Sequence, residues 1–257
     1  MAVFADYARY YNLLYQDKDY AGEAAFVLDV FQRYGCVPET LLDLGCGTGR
    51  HALACAQRGV AVAGVDMSET MLALGREALS RVDAGVFPSP LPELHNGDAR
   101  NVRLGKQFDA VTSLFHVMSY QNSERDALAL LTTAREHLRQ GGLFFFDFWH
   151  GPGVLADPPA SREKTLEDAT TRVHRLAVPE HREGEHVIVV NYTVTIHDKA
   201  GGEDSSLHES HFMRYWFLPE LCELACRAGF TVAAEGGWMH DAPASVTDWN
   251  AWMLLKA

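Results

Sequence analysis

Residues 41–51 (LLDLGCGTGRH) constrain the fold of this chain more than any other segment. An apolar run leads into a turn in which Gly45, Gly47 and Gly49 alternate with other residues, and a helical pattern follows. Glycine lets a backbone turn sharply and approach a ligand with no Cβ in the way. The N-terminus of a helix offers free N–H groups to an anionic group. The segment therefore predicts a strand, a ligand-binding turn and a helix.

Apolar runs and helical patterns alternate through the surrounding sequence. The predicted strands lie at residues 40–44, 60–65, 108–113 and 143–148. The predicted helices lie at residues 21–34, 50–58, 69–81 and 124–139. Continuous apolar strands separated by helices are typical of a parallel sheet that is covered on both faces. We therefore expect an α/β fold with a doubly wound, Rossmann-like sheet.

The pattern changes after residue 148. Residues 149–165 are predicted as a loop, and strands with a period of two are predicted at residues 170–177, 187–197 and 206–217. These three strands predict an inserted antiparallel sheet. A helix from Leu218 to Gly229 and strands at 230–234 and 249–256 would then complete the core. The expected division is a helical cap and cofactor-binding core at 1–150, an inserted subdomain at 151–217 and a C-terminal completion at 218–257.

Composition narrows the class of partner. Asp and Glu outnumber Lys and Arg by 34 to 22, which gives a formal net charge of −12 with no basic cluster. Proteins that grip phosphates or anionic lipid need the opposite charge, so we expect neither nucleic acid nor a membrane as partner. The five cysteines form no CxxC pair, which argues against a disulfide framework or a thiolate zinc site. With no signal segment or long apolar stretch, the expected location is cytoplasmic.

Acidic residues interrupt or follow the predicted strands. Asp43 lies inside the first strand, where a buried carboxylate needs donors from turn N–H groups or a ligand ammonium. Asp66, at the tip of the second strand, is placed to accept from both hydroxyls of a ribose. Asp98, in the sequence NGDA, either accepts from an adenine amino group or forms an Asx turn. The dinucleotide fingerprint needs glycine where this chain has Arg50, which argues against a nicotinamide oxidoreductase.

These motifs, with FDAVTSLFHVMSY at 108–120 and LRQGGLFFFDF at 138–148, resemble the class I S-adenosylmethionine-dependent methyltransferases. The resemblance covers about residues 38–150, and RYWFLPELCELACRAGF at 214–230 extends it. A tyrosine-rich N-terminal stretch and an inserted sheet make the chain similar to the small-molecule branch that N-methylates nucleotide-linked amino sugars. The resemblance implies a seven-stranded methyltransferase sheet, S-adenosyl-L-methionine as cofactor and S-adenosyl-L-homocysteine as product.

The resemblance also implies which residues hold the cofactor. The glycines would surround its methionine part, Asp43 would bear on the ammonium, Asp66 would bind the ribose and Met67 would pack on the adenine. The full set of implied cofactor-binding residues is Tyr15, Asp43, Gly45, Cys46, Gly47, Gly49, Asp66, Met67, Asp98, Ala99 and Leu114.

The methyl acceptor is expected at the end of the fourth strand, because open α/β sheets bind ligands outside the carboxyl ends of their strands. His116 lies there as the only imidazole, and histidine suits a general base near neutral pH. Tyr120, and Tyr11 from the N-terminal stretch, are the further catalytic candidates. A histidine satisfied within a loop is the alternative interpretation of His116.

Three residues are the expected substrate contacts: Trp149 and His150 after the fifth strand, and Arg214 at the end of the insertion. His208 and His211 form an HxxH pattern, but residues three apart in a strand face opposite sides, so no metal site is expected. Apolar residues occur on both faces of the strand at 187–196, which predicts that a second subunit covers one face in a homodimer.

The leading function is methyl transfer to a small polar metabolite, with the amine of a nucleotide-linked amino sugar as the first choice of acceptor. The alternative is O-methylation of a sugar hydroxyl or another natural product with His116 as base, because an oxygen acceptor needs a base more acutely. A non-enzymatic module that binds an adenosyl ligand is the lower alternative.

Overall fold

The computed structural model describes residues 14–257, apart from residues 84, 86, 168, 200, 202 and 203. Tyr11 therefore lies outside the described residues. The helices are α1 Tyr20–Arg33, α2 Arg50–Ala56, α3 Glu69–Ser80, α4 Glu124–His137, α5 Gly151–Ala156 and α6 Leu218–Arg227. The strands are β1 Thr40–Leu44, β2 Ala61–Asp66, β3 Glu93–Asn96, β4 Phe108–Ser113, β5 Leu138–Trp149, β6 Arg162–Glu167, β7 Thr171–Arg182, β8 Val187–Asp198, β9 Ser205–Arg214, β10 Thr231–Gly237 and β11 Asn250–Lys256.

Seven strands form one sheet in the order β3-β2-β1-β4-β5-β11-β10. The pairs from β3 to β5 are parallel, and β11 is antiparallel to both of its neighbours. The order reverses direction between β1 and β4, which leaves a crevice at the carboxyl ends of these strands. The doubly wound sheet expected from the alternating pattern is confirmed.

Alternate residues of each core strand face opposite layers of helices, as the pleat requires. On one face, Leu41 and Phe145 pack in the same cluster as the apolar residues of α1 and α2. On the other face, Leu42 and Phe144 pack in the same cluster as those of α4 and α6. Both faces of the strands are buried, which explains why their sequences are continuous apolar runs rather than alternating ones.

Capping residues fix where two helices begin. The Ser68 hydroxyl accepts from the backbone N–H of Met71 at the start of α3, at 3.3 Å. The Ser123 hydroxyl accepts from the N–H of Asp126 at the start of α4, at 3.1 Å. In both cases serine satisfies one of the free N–H groups at a helix start. None of the described helices combines the length and the apolar character needed to cross a bilayer.

The strands β6, β7, β8 and β9 form a separate antiparallel sheet, as expected for the insertion. Apolar side chains of this sheet contact residues at the carboxyl edge of the core. Val190 and Met213 pack in one cluster with Tyr120 and Trp149, and Val194 packs in another with Met71. The inserted sheet therefore covers the crevice of the core.

The loop predicted at 149–165 is wrong, because the structure forms α5 and the edge strand β6 there. Every residue of β6 (REKTLE) is half-exposed or exposed, so this segment lacks the alternation of apolar and polar residues that would predict a strand. Its pairing with β7 supplies the order that its own pattern lacks. β7 also includes Pro179, which has no N–H to donate. Pro179 lies beyond the last residue that pairs with β6, so no hydrogen bond to β6 is lost there.

The strand predicted at 206–217 ends earlier than expected, at Arg214. Trp216 instead pairs with His150 in an isolated bridge as the chain returns to the core. The large apolar and aromatic residues at 212–217 therefore continue past the end of the inserted sheet, and the sequence pattern alone could not show where the partner strand stops.

Candidate active site

A cavity of about 550 Å³ lies between the carboxyl edge of the core sheet and the inserted sheet. Most of the predicted site residues line it. They are Tyr15, Gly45, Cys46, Gly47, Asp66, Met67, Asp98, Ala99, Leu114, His116, Tyr120 and Trp149. The fold thus brings together residues from five separate segments of the core and from the stretch before α1.

Hydrogen bonds to the end of β2 hold the glycine turn in place. The N–H groups of Gly45 and Cys46 both donate to the carbonyl of Val65, at 2.8 and 3.0 Å. Gly45 has a φ of +81°, and a Cβ there would lie 2.5 Å from a methyl group of Val117. Only glycine fits this position without displacing the segment that follows β4.

Asp66 ties the turn to the start of α3. One carboxylate oxygen accepts from the N–H of Gly47 and the other from the N–H of Ser68, both at 2.8 Å. Burial raises the pKa of Asp66 above its ordinary value, although the two N–H donors lower it in part. The carboxylate borders the cavity beside a turn that presents backbone rather than side chain to a ligand.

Asp43 is buried beneath this turn, and it does not line the cavity. Its carboxylate accepts from the hydroxyl of Thr112 at 3.0 Å, so the protein donor is a neighbouring strand rather than the expected turn N–H groups. Burial raises the pKa of Asp43 to about 6, while His51 and Thr112 lower it in part and Asp66 and Asp147 add to the rise.

We expect Asp43→Asn to raise the free energy of unfolding of the ligand-free protein by about 3 kcal/mol at pH 7. The folded state holds the proton of Asp43 up to about pH 6, whereas the unfolded chain releases it near 3.8. Ionisation of Asp43 therefore lowers the free energy of unfolding progressively as the pH rises between these values. Asparagine does not ionise, so the variant avoids this loss. Urea unfolding at pH 4 and pH 7 measures the effect.

The stabilisation by Asp43→Asn should fall to about 0.5 kcal/mol at pH 4, where Asp43 is protonated in the folded state and only partly ionised in the unfolded chain. Asp157→Asn is the control, because it removes a charge of the same sign from an exposed position. Equal effects of Asp43→Asn at the two pH values would contradict the prediction.

His116 follows β4 in an unusual backbone conformation. Phe115 and His116 both have positive φ, at 65° and 67°, which costs about 1–3 kcal/mol for each residue. The N–H of His116 donates to both carboxylate oxygens of Asp147, at 3.0 and 3.1 Å. These bonds hold the tight turn that directs His116 into the cavity, and a 3₁₀ turn over Val117–Tyr120 follows.

Asp147 also faces the ring of His116, with Nδ1 of the imidazole 2.6 Å from Oδ2 of the carboxylate. Burial alone would raise the pKa of Asp147, but the contacts with the His116 ring and backbone outweigh it and leave the pKa below its ordinary value. The Nδ1 atom is not aligned with the carboxylate for a hydrogen bond, so the contact acts through charge. A carboxylate this close still favours the tautomer with the hydrogen on Nδ1, which leaves the lone pair of Nε2 available. The sequence analysis missed this role, although a single acid within the apolar run FFFDF was a usable signal.

The inserted sheet contributes side chains that the sequence analysis did not assign to the site. Tyr192 and His211 both line the cavity, and the Tyr120 hydroxyl lies 2.8 Å from Nδ1 of His211. His208 is exposed and contacts Thr193, so the two histidines face opposite sides as predicted. Within the described ranges, no three His, Cys, Asp or Glu side chains are grouped to hold a metal ion.

Two expected substrate contacts lie outside the cavity. His150 is buried with Nδ1 3.1 Å from the carbonyl of Asp248, and it borders a separate small hollow beside Phe217. Arg214 lies over the ring of Trp216 at 4.0 Å and donates to Glu220 at 3.3 Å. Both side chains are thus held by other parts of the protein, and neither lines the cavity. Gly49 also lies outside the lining, as the left-handed residue before α2.

Asp98 lines the cavity, but Arg100 occupies much of its carboxylate. The Arg100 guanidinium donates to both oxygens at 2.6–3.1 Å, and the Arg100 N–H donates to Oδ1 at 2.9 Å. The Arg100 side-chain bonds hold the pKa of Asp98 below its usual value, against the opposing effect of burial. The Asx turn is therefore present, and a ligand at Asp98 would share the carboxylate with Arg100.

Comparison with known proteins agrees with this arrangement. A family model described as a methyltransferase domain matches residues 41–142. The dTDP-3-amino-3,6-dideoxy-alpha-D-glucopyranose N,N-dimethyltransferase of Streptomyces fradiae is 32% identical over 89% of this chain and 86% of its own. The dTDP-3-amino-3,4,6-trideoxy-alpha-D-glucopyranose N,N-dimethyltransferase of Streptomyces venezuelae is 33% identical over 65% of this chain and 67% of its own.

A solved structure extends the match to the whole chain. The crystal structure of Streptomyces venezuelae DesVI superposes with a TM-score of 0.78 and 26% identity over 99% of both chains. The inserted sheet and the C-terminal strands are therefore part of the shared fold. The chain belongs to the family of S-adenosylmethionine-dependent methyltransferases that includes these sugar N,N-dimethyltransferases.

Proposed function

We propose that this enzyme transfers a methyl group from S-adenosylmethionine to the amine of a small nucleotide-linked amino sugar. The observation that carries the proposal is the His116–Asp147 pair at the edge of the cavity that the inserted sheet covers. The relatives named for dTDP-amino-sugar N,N-dimethylation support the choice of acceptor.

The residues around the glycine turn fit the methyl donor. The turn presents backbone at a position where a Cβ would clash, and Asp66 offers a buried carboxylate for ribose hydroxyls. Asp43 and Asp66 place two carboxylates beneath and beside the glycine turn, which favours a ligand with positive charge there. When bound, S-adenosylmethionine supplies a methyl group on a positively charged sulfur. Gly45, Cys46, Gly47, Asp66 and Met67 would hold it.

His116 is the proposed base. An amine with a pKa near that of an α-amino group, about 8, is mostly protonated at pH 7 and has no lone pair for attack. With Asp147 at Nδ1, His116 can accept that proton at Nε2, and the Asp147 carboxylate then stabilises the imidazolium. The cavity walls contribute by holding the acceptor in line, since orientation alone is worth about 7–11 kcal/mol of barrier.

O-methylation stays as the second candidate function because the same His116–Asp147 pair suits it. A hydroxyl is a poorer nucleophile than an amine and depends more on a base. Two nucleotide-sugars that differ only in an amine or a hydroxyl at one carbon would separate the candidates.

The test is transfer of label from methyl-labelled S-adenosylmethionine to this matched pair, with Asp66→Ala as the inactive control. We expect label on the amino sugar, in one or two transfers. Label on the hydroxyl sugar alone would replace the proposal with O-methylation. If neither sugar is labelled while S-adenosylmethionine still raises the melting temperature, the proposed acceptor is wrong.

Two finer expectations stay predictions. They are a homodimer formed through the inserted sheet and a cytoplasmic location. The apolar residues of β8 on which the dimer was predicted, Val187, Val189, Val194 and Ile196, are buried within the single chain and so do not support it. The mass of the protein in solution, measured by light scattering over a range of concentrations, would test the first.

A further inference from the structure

We propose that His211 is a positioning residue in a second proton-accepting relay, which runs from Tyr120 through His211 to Glu209. This relay would act beside the His116–Asp147 pair on an amine acceptor, so the inference rests on the function proposed above. It assigns the inserted sheet a part in the chemistry in addition to covering the cavity.

The three side chains form a connected path from the cavity toward the protein surface. Tyr120 and His211 line the cavity, and the Tyr120 hydroxyl lies 2.8 Å from Nδ1 of His211. On the other side of the ring, Nε2 lies 3.1 Å from Oε2 of Glu209. The side chain of His211 is 4% exposed and that of Glu209 is 14% exposed.

The strand β9 places this path on the inner face of the inserted sheet. Positions 207, 209, 211 and 213 are the more buried alternate residues of β9, and Tyr192 on β8 lies opposite Glu209. The ring of Tyr192 meets the ring of His211 edge to face, with centroids 4.8 Å apart. Packing against Tyr192 therefore limits how far the imidazole can turn away from Tyr120.

The chemistry of the partners fixes the direction of the hydrogen bonds. A carboxylate only accepts, so Nε2 of His211 carries the hydrogen that Glu209 receives. In a neutral imidazole Nδ1 is then the acceptor, and the Tyr120 hydroxyl must donate to it. A hydroxyl that donates to Nδ1 keeps oxygen lone pairs with which it can accept, which suits an ammonium or hydroxyl group of the acceptor and not a carbonyl.

The same arrangement can remove a proton from the acceptor. His116 takes the proton of the incoming ammonium, and the relay takes one from the methylated ammonium that the first transfer leaves. An N–H bond of this methylated ammonium breaks, its electron pair stays on nitrogen, and the proton joins the Tyr120 oxygen. The hydroxyl proton of Tyr120 passes at the same time to Nδ1 of His211. The resulting imidazolium is stabilised by the Glu209 carboxylate, and its proton returns to solvent after the product leaves. Tyr120 is neutral before and after the transfer, and no oxidant or reductant is needed.

Three variants test the relay against the intact enzyme. Tyr120→Phe removes the oxygen, and His211→Phe removes both ring nitrogens. His211→Asn keeps an oxygen near the position of Nδ1 for the Tyr120 hydroxyl but cannot take a proton. His208→Asn is the matched control, because it makes the same change on the same strand at an exposed position. Initial rates with the N-monomethylated amino sugar as acceptor would be measured at pH 7 and pH 9.

At pH 7 we expect kcat to fall by about tenfold for Tyr120→Phe and His211→Asn, because only about a tenth of an amine with a pKa near 8 is neutral without a base. At pH 9 the amine is mostly neutral without help, so the deficit should shrink to roughly threefold or less. KM for the acceptor should change little in His211→Asn, since Tyr120 keeps its hydrogen-bond partner. His208→Asn should match the unmodified enzyme at both pH values.

A merely structural role would give a deficit of the same size at both pH values, and this result would overturn the relay. A His211→Asn variant as fast as the unmodified enzyme at pH 7 would overturn it as well. If a His211 variant does not fold, as judged by its melting temperature, the pH dependence of Tyr120→Phe decides the question. Failure of the unmodified enzyme to label the amino sugar would instead refute the proposed function itself.

Discussion

Replacing Asp147 with asparagine is expected to lower kcat by about tenfold at pH 7, because only about a tenth of an amine with a pKa near 8 is neutral without a working base. The amide has the shape of the carboxylate and can still accept from the N–H of His116, which Asp147 does at 3.0–3.1 Å. An amide N–H that faces Nδ1 would force the other tautomer, with the hydrogen on Nε2. His116 then has no lone pair with which to take the substrate proton.

Steady-state rates at pH 7 with saturating donor would measure the loss for Asp147→Asn, and calorimetry would measure the affinity for S-adenosylmethionine. We expect that affinity to stay within about threefold, because the predicted donor contacts lie at the glycine turn and Asp66. Asp109→Asn is the matched control. Asp109 accepts from Thr40 near the opposite end of β4, so its loss measures the cost of removing a structural carboxylate.

A kcat for Asp147→Asn within threefold of the unmodified enzyme would mean that Asp147 only holds the turn at Phe115 and His116. The same experiment carries a check on stability. The pKa of Asp147 is lowered in the folded state. Its carboxylate therefore stabilises the fold at pH values above the ordinary pKa of aspartate, near 3.8. This stabilisation is lost as the pH falls through the lowered pKa. Some loss of unfolding free energy at pH 7 is therefore expected in Asp147→Asn, and it must be separated from the loss of rate.

The core sheet and the donor side of the cavity could be predicted from the sequence because their signals are local. The segment LDLGCGTG encodes a strand, a turn and a helix within a few residues, and Asp66 follows the next strand directly. Each of these features depends on backbone conformation, which short-range sequence determines. The parallel orientation of these strands then follows from the alternation of strands and helices.

The acceptor side could not be predicted in the same way because it is built from contacts distant in sequence. Asp147 on β5 contacts His116, which follows the neighbouring strand β4 and lies 31 positions earlier in the sequence. His211 contacts Tyr120, which lies 91 positions earlier. His150 and Arg214 were expected at the site from their places at strand ends, yet both side chains are held by other parts of the protein. Where a strand stops depends on its partner strand, and no period within one segment records that.

The second large effect is expected at Asp66, the residue that connects turn, helix and cavity. We expect Asp66→Ala to weaken binding of S-adenosylmethionine by at least about 100-fold. Hydrogen bonds from hydroxyls to a carboxylate are worth about 1.5–3 kcal/mol each, and the ribose offers two. Asp66→Ala also leaves the N–H groups of Gly47 and Ser68 without their acceptor, which loosens the turn itself. Calorimetry and the rise in melting temperature on adding the donor would measure the loss.

Asp66→Asn separates the two roles of the carboxylate. Its single oxygen can serve only one of the two backbone donors, but its volume is unchanged. Because burial raises the pKa of Asp66, removing the charge is not expected to lower the unfolding free energy of the ligand-free protein by much. The loss should appear in the response to the donor. Ligand that binds only the folded state stabilises by about 2.7 kcal/mol at 100 times its Kd, and a 100-fold weaker Kd removes nearly all of this.

Glu69→Gln is the matched control for Asp66→Asn, since Glu69 is an exposed acid in the first turn of α3, the helix that follows Asp66. It should respond to the donor as the unmodified enzyme does. The pH dependence supplies a second criterion, because binding through an ionised Asp66 must weaken as the pH falls toward the raised pKa of that carboxyl. If Asp66→Asn kept both the full rise in melting temperature and the pH dependence, the carboxylate would serve only the turn. The ribose would then have to be held elsewhere in the cavity.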